Sequence, residues 1–143
     1  MANKIDSFTG DFFFLSNFYN APVRYNGFEF QNNEAAFQSA KAPKQMALFC
    51  NLNPSQAKRL GRSVKLREDW EDVKDDVMYQ VCKAKFTQNK ELGKRLIGTE
   101  DAVLIEGNTW RDRIWGVYKG RGENRLGKIL MRIREEIRGE LDE

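Results

Sequence analysis

The dipeptide Asn26-Gly27 is the sequence feature that most constrains the fold of this chain. It lies between Val23-Arg24-Tyr25 and Phe28-Glu29-Phe30, two triplets in which apolar residues flank a charged one. Asn and Gly both tolerate the positive φ of a type I′ turn, and this pattern is the strongest short-range signal for a β-hairpin. The sequence therefore predicts two antiparallel strands joined at Asn26-Gly27.

Most of the remaining chain has the apolar spacing of helices. Asn32 or Asn33 is expected to cap a helix through Glu34 to about Lys41, because Asn is a favoured N-cap. Further helices are predicted at 46–51, at 55–60 with Gly61 as the stop, from about 67 to 86, at 92–97 and at 126–141, and short strands at 12–18 and 102–105. The predicted fold class is α+β, a helix-rich single domain over residues 1–143 with a small β-sheet.

Composition excludes several classes of protein. A length of 143 residues fits one domain, and 41% apolar against 31% charged residues is a globular composition. With 24 basic and 21 acidic residues, the net charge of +3 is too balanced to indicate a nucleic-acid coat protein. Charge therefore leaves the partner open.

The cysteines and the apolar runs indicate the cellular compartment in which the protein is expected. Cys50 and Cys82 form no CxxC pair, so neither a disulfide framework nor a zinc site is predicted. No apolar run approaches the roughly 20 residues needed to cross a bilayer, and the first ten residues lack the layout of a signal peptide. We expect a cytoplasmic protein without a membrane partner.

Histidine is absent from the chain. This absence removes Ser-His-Asp and Cys-His catalysis and most zinc or iron sites. Acid–base chemistry must therefore use carboxylates, Lys, Tyr or Cys, and no metal or cofactor is predicted.

The segment 107–122 is irregular and carries two tryptophans, Trp110 and Trp115, beside Arg111 and Arg113. Indole rings stack on planar bases, and guanidinium groups bind phosphate, so the segment is typical of a nucleotide-like ligand site. The alternative is that both tryptophans anchor the loop on the core.

A second candidate site lies on the first helix after the hairpin. Glu34, Phe37, Gln38 and Lys41 share one helical face because they are three, four and seven positions apart. Alternatively, Glu34 and Lys41 simply complement the two ends of the helix dipole.

Two other polar features have structural readings beside their functional ones. Arg62, Lys65 and Arg67 could bind phosphate or could be a solvated basic run. Asn17 follows an aromatic run, where asparagine is more often a turn former than a ligand.

Together these motifs resemble the YbiA-like N-glycosidases of the NADAR superfamily, named for NAD and ADP-ribose. Each piece is short, but their order and spacing are specific. The matching pieces are Phe14-Leu15-Ser16-Asn17-Phe18, the run from Asn33 to Lys41, Leu60-Gly61-Arg62, Asp69-Trp70, Lys85-Phe86, Asp112 with Trp115-Gly116, and the run from Gly122 to Lys128.

The resemblance implies an enzyme that hydrolyses a bond between a base or amine nitrogen and a ribose carbon, in riboflavin-pathway intermediates or ADP-ribosylated bases. It implies Glu34 as the catalytic carboxylate, with Asp112 assisting. It also implies substrate-binding or supporting roles for Asn17, Phe37, Gln38, Lys41, Arg62, Trp70, Trp115 and Asn124. Many relatives carry a histidine after the equivalent of Glu34, where this chain has Ala35.

The expected chemistry agrees with the inventory of residues. Breaking a glycosidic bond passes through an oxocarbenium-like state, which a carboxylate stabilises without histidine or metal. The expected partner is a small nucleotide or ribosyl phosphate. Two alternatives stay open: a non-catalytic module for ADP-ribose-like or NAD-like ligands, and an enzyme acting on ADP-ribosylated nucleic acid.

Overall fold

The computed structural model describes residues 3–141, which form a helix-rich α+β structure. Two 3₁₀ helices lie at Gly10–Leu15 and Pro43–Phe49. The strands and α-helices, in chain order, are β1 (Lys4–Ile5), β2 (Asn20–Tyr25), β3 (Phe28–Asn32), α1 (Asn33–Ser39), α2 (Pro54–Ser63), α3 (Trp70–Gln88), α4 (Lys90–Ile97), β4 (Val103–Leu104) and α5 (Arg125–Leu141). The predicted fold class is confirmed.

The described residues divide into two compact units. One, here called the hairpin unit, comprises residues 17–89, and the other, the terminal unit, comprises the residues up to 16 and from 90 onward. The hairpin unit contains the antiparallel pair β2–β3, and the terminal unit contains the parallel pair β1–β4. One domain over residues 1–143 stays a prediction.

The predicted hairpin is confirmed. Asn26 and Gly27 have φ of 52° and 84°, as a type I′ turn requires, and Tyr25 pairs with Phe28 across the turn. Val23 pairs with Phe30, and neither side chain is exposed to solvent. This apolar pair fixes the face of the hairpin that joins the core of its unit.

Helix α1 begins directly where β3 ends. The side chain of Asn32 accepts a hydrogen bond from the Ala35 N–H at 2.8 Å, so Asn32 is the N-cap, as predicted. Every residue of Asn33–Ser39 is buried. The helix ends earlier than expected, and Pro43 begins the following 3₁₀ helix, because proline fits the first helical positions.

Helix α2 shows one wrong prediction. Asn53 and Gln56 form the capping box that starts the helix, but Gly61 does not stop it, since the helix continues to Ser63. Gly61 is needed instead for packing, because a Cβ there would lie 2.0 Å from Oε1 of Gln38. The glycine allows α2 to approach α1 closely.

In the terminal unit, the strand predicted at 12–18 is wrong. The adjacent residues Phe14 and Leu15 are both buried, and the Ser16 N–H donates to the Phe13 carbonyl at 2.9 Å, which describes a 3₁₀ turn at Gly10–Leu15. The predicted short buried strand is therefore replaced by a tight helical turn whose hydrogen bonds link residues three apart. No helix among residues 3–141 is both long and apolar enough to cross a membrane.

Candidate active site

Glu34 lies in the first turn of α1 and is only 7% exposed. Its backbone N–H donates to the carbonyl oxygen of Asn17 at 3.0 Å. Because the first N–H groups of a helix have no partner inside it, this bond ties the start of α1 to the segment that precedes β2. Asn17 thus holds the backbone at the expected catalytic residue.

The side chains of Asn17 and Asn33 form a network beneath this turn. Asn33 Nδ2 donates to Asn17 Oδ1 at 2.8 Å and approaches Cys82 Sγ at 3.2 Å, and Asn17 Nδ2 approaches Met78 Sδ at 3.4 Å. The buried Oδ1 of Asn33 has no hydrogen-bond partner among the described residues. The amide of Asn17, predicted to bind substrate, is therefore already engaged within the hairpin unit.

The pKa of the Cys82 thiol is shifted by burial and by the charged groups near it. Burial raises the pKa of its thiol to about 12, and the Glu34 carboxylate also raises it. The Lys85 ammonium and the hydrogen bond from Asn33 lower that pKa by less than burial raises it, and the effect of Glu34 is the smallest of the four. Cys82 is therefore a neutral thiol near neutral pH, and both Glu34 and Lys85 lie within its electrostatic reach.

Lys85 is the residue of this region that sequence reasoning did not single out as functional. It is 1% exposed, and its Nζ lies 5.6 Å from the ring centroid of Tyr19 and 4.9 Å from that of Phe86. A fully buried lysine is rare in proteins. Its position three and four residues after the buried Cys82 and Val81 was the available signal, since these spacings place it on the inward face of α3.

Lys41 and Trp70 form the other side of the region around α1. The Trp70 ring packs against Phe37 with a centroid distance of 5.2 Å and an interplanar angle of 57°. Lys41 Nζ lies 5.9 Å from the Trp70 ring centroid, a cation–π distance. Phe37, Lys41 and Trp70 are thus brought together, as the motif pattern predicts.

Three charged groups act on Lys41. Burial lowers the pKa of Lys41, Glu34 opposes this effect, and the cations Arg62 and Lys58 lower it further. Glu34, Lys41 and Arg62, three predicted site residues, therefore share one electrostatic environment.

Gln38 lies on α1 against Gly61 of α2, and Arg62 follows Gly61. Gln38 is 6% exposed, and its Oε1 has no hydrogen-bond partner among the described residues. Arg62 is exposed on α2. Arg67, grouped with Arg62 in the sequence, binds Asp69 through two hydrogen bonds of 2.6 and 3.0 Å, so its charge is paired.

Three predicted site residues lie in the terminal unit. Asp112 Oδ1 accepts the N–H groups of Ile114 (3.0 Å) and Trp115 (2.9 Å), which shapes the loop locally. Trp115 is half-buried, whereas Trp110 is 58% exposed. The core-anchor reading therefore fails for Trp110.

Asn124 makes two side-chain hydrogen bonds to the backbone within the terminal unit. Its Nδ2 donates to the Leu104 carbonyl and its Oδ1 accepts the Glu106 N–H, both at 2.9 Å. Its φ of 52° is left-handed, which asparagine tolerates better than most residues. Asn124 fastens the start of α5 to the end of β4.

The predicted site residues are thus distributed over the two units. The hairpin unit holds Asn17, Glu34, Phe37, Gln38, Lys41, Arg62 and Trp70, and the terminal unit holds Asp112, Trp115 and Asn124. Among the described residues, no group of three or more His, Cys, Asp or Glu side chains could hold a metal ion.

Comparison with known proteins identifies the family. The model of the NADAR domain matches residues 7–138, and this range runs through almost the whole chain. The chain belongs to the NADAR family. The matched range contains every residue of the candidate site, so the Glu34 helix and the tryptophan loop are both part of the NADAR domain.

Curated relatives of this NADAR chain carry enzyme names. It is 38% identical over 134 residues to the N-glycosidase YbiA of Escherichia coli, which covers 90% of this chain and 81% of the relative. It is 35% identical over 130 residues to a riboflavin biosynthesis protein of Vibrio vulnificus, covering 87% of this chain but 35% of that protein.

A solved structure agrees with this assignment. The NMR structure of the E. coli protein YbiA superimposes with a TM-score of 0.86 at 36% identity, covering 100% of this NADAR chain and 90% of that one. At this level of identity the likeness extends to the whole fold. The family expected from the sequence motifs is confirmed.

Proposed function

We propose that this chain is an N-glycosidase that uses water to cleave the bond between a nitrogen and the anomeric carbon of a ribosyl phosphate compound. The observation that carries the proposal is the burial of Glu34 at the first turn of α1, beside Lys41 and an aromatic wall of Phe37 and Trp70. A first-turn acid that only balanced the helix dipole would be solvated.

Glu34 has the chemistry that the reaction needs. As the C–N bond breaks, positive charge develops on the ribose ring, and a nearby carboxylate stabilises that charge. The same carboxylate can accept a proton from the attacking water. The backbone of its helical turn is held by the Asn32 cap and by the Glu34 N–H bond to Asn17, which limits reorganisation of the backbone during the reaction.

The aromatic and cationic groups around α1 fit the rest of such a substrate. The tilted pair of Phe37 and Trp70 offers an apolar wall to a sugar or base, and Lys41 and Arg62 offer positive charge to its phosphate. For the terminal unit, a stacking role for Trp115 and a ribose-binding role for Asp112 stay predictions. Within the hairpin unit, Asn17 and Gln38 support the residues around α1, and a supporting role for Asn124 in the terminal unit stays a prediction.

The names of the relatives guide the choice of substrate. N-glycosidase YbiA and the riboflavin biosynthesis protein support ribosylamine phosphates of the riboflavin pathway, and compounds that carry ADP-ribose on a base are the second class. Removal of ADP-ribose from bases in nucleic acid belongs to this second class. A cytoplasmic location and the lack of a cofactor stay predictions.

The test is an assay of the purified chain against a panel of ribosylamine phosphates and ADP-ribosylated bases, with chromatography of the products. The proposal predicts release of a free base or amine together with a ribose phosphate or ADP-ribose. Glu34→Gln keeps the shape of the side chain and should abolish this release. The matched control is Glu71→Gln, because Glu71 is also a first-turn acid, at the exposed start of α3.

Two outcomes would contradict the proposal. Cleavage of no compound, with calorimetric binding that Glu34→Gln leaves unchanged, would identify a non-catalytic binding module. Cleavage that persists in Glu34→Gln would remove Glu34 from the chemistry.

A further inference from the structure

Two basic side chains, Lys58 and Arg62, lie four residues apart on the part of α2 that borders α1. Ala57 and Gly61 are buried four residues apart and form the stripe that packs on α1. Lys58 and Arg62 each follow one of these residues, and residues four apart lie on one helical face. Lys58 and Arg62 therefore flank the line along which α1 and α2 meet.

Lys58 is held close to the start of α1. It is half-buried, and its Nζ lies 5.7 Å from the ring centroid of Phe18, which is 37% exposed. Phe18 directly follows Asn17, whose carbonyl accepts the Glu34 N–H. The Lys58 ammonium is thus anchored on the residue next to the one that holds the catalytic helix.

The positive charges here are not neutralised by acidic neighbours. Within residues 3–141, Lys41, Lys58 and Arg62 make no ion pair at 4.0 Å or less, whereas nearby Arg67 pairs with Asp69. The Glu34 carboxylate is the acid that acts on Lys41, and its influence is opposed by Arg62 and Lys58. Arg62 and Lys58 thus both act on Lys41, and an added anion would relieve the mutual repulsion of these three cations.

We propose that Lys58, together with Lys41 and Arg62, forms the binding site for the substrate's phosphate group, and that Lys58 sets the preference for phosphorylated over unphosphorylated ribosyl compounds. The proposal rests on the proposed function for the identity of the substrate, but binding of the phosphate requires no bond cleavage. Lysine is suited to this role because it contacts phosphate as a mobile point charge.

Calorimetric titration of the intact chain with ribose 5-phosphate and with ribose tests the proposal. The parent should bind ribose 5-phosphate at least about tenfold more tightly than ribose, because charge-assisted hydrogen bonds are the strong ones. Lys58→Gln should lose most of this difference, by about tenfold in affinity, and Lys58→Arg should retain it.

Arg59→Gln is the matched control. It removes the same charge from the adjacent exposed position of α2, on a different face of the helix. The control should bind ribose 5-phosphate within about twofold of the parent, since exposed charges are screened by salt. Thermal unfolding of each variant checks that neither substitution disturbs the fold.

Three results would overturn the proposal. They are a parent that binds ribose 5-phosphate no better than ribose, a Lys58→Gln variant with parental affinity, and an equal loss in Lys58→Gln and Arg59→Gln. Failure of the proposed function has a different signature, because the parent would then bind ribose 5-phosphate in a Lys58-dependent manner and release no base.

Discussion

Burial of Glu34 has an energetic cost that the residues around it must offset. Removing a carboxylate from water is costly unless charges or hydrogen bonds compensate it. Lys41 lies within its electrostatic reach, and Lys85 acts on the same thiol as Glu34 does. Buried charged groups concentrate at functional sites, and the burial of Glu34 near Lys41 agrees with the proposed chemistry.

Cys82 gives a prediction about alkaline stability. Its pKa is raised from 9.0 to about 12 in the folded chain, so the unfolded chain releases the thiol proton first as the pH rises. Folding therefore loses stability from about pH 9 upward, and the loss between about pH 8 and 10.5 is about 2 kcal/mol. Urea unfolding at the two pH values measures this loss.

Cys82→Ala should be less sensitive to pH than the parent by that amount, because it lacks the titrating thiol. Cys50→Ala retains Cys82 and should follow the parent. Equal losses in the parent and in Cys82→Ala would show that the thiol is not protected from ionisation.

At the scale of elements, α1 and α2 are in contact through Gln38 and Gly61. This contact predicts whether Gly61→Ala lowers or raises the free energy of unfolding. Gly61→Ala places a Cβ against the buried Gln38 amide and should lower the free energy of unfolding by about 1–3 kcal/mol. In a Gln38→Ala background the same change should be neutral or stabilising, because alanine favours helix by about 1 kcal/mol over glycine.

Denaturant unfolding of the four chains in this double-mutant cycle measures the effect. Gly139→Ala is the control, since a Cβ at Gly139 on α5 meets no atom within 4 Å and should only stabilise. An equal cost of Gly61→Ala in both backgrounds would contradict the packing account.

Asn124 joins β4 to α5, and this element-scale role predicts a loss of stability without a loss of binding. Asn124→Ala removes the bonds to the Leu104 carbonyl and the Glu106 N–H and should cost about 1–3 kcal/mol in unfolding free energy. Asn124→Gly should cost less, because glycine accepts the positive φ. Parental stability with weakened ribose 5-phosphate binding would instead make Asn124 a ligand contact.

At the scale of the whole molecule, local sequence signals predicted the elements that depend on local chemistry. Asn26-Gly27 specified the turn, and Asn32 specified the start of the helix that carries Glu34. The 3₁₀ helix at Gly10–Leu15 was missed because a short aromatic run has the same composition in a strand or a tight turn. Gly61 was misread because its packing partner lies on another helix.

In the candidate site too, local sequence signals predicted some residues and missed those that depend on tertiary contacts. Helical spacing predicted Glu34 and Phe37 on one face, and the family motifs added Trp70, which packs on Phe37. Lys41 lies beyond the end of α1, so its predicted place on that helical face is wrong, although it lies within electrostatic reach of Glu34. Lys58 and Lys85 were not singled out, because their importance arises from helix packing and burial that no short window of sequence contains. Tertiary contacts therefore supply the electrostatics of the site, and the sequence supplies its central acid.

The central claim is that Glu34 performs chemistry and does not merely bind or stabilise. The most direct measurement is kcat, together with the calorimetric Kd, for the parent, Glu34→Gln and Glu71→Gln on a phosphorylated N-ribosyl compound that the parent cleaves. We predict that Glu34→Gln lowers kcat by about 10²- to 10⁴-fold with Kd within about threefold, and that Glu71→Gln changes neither. A Glu34→Gln variant that turns over within a few-fold of the parent would contradict the account.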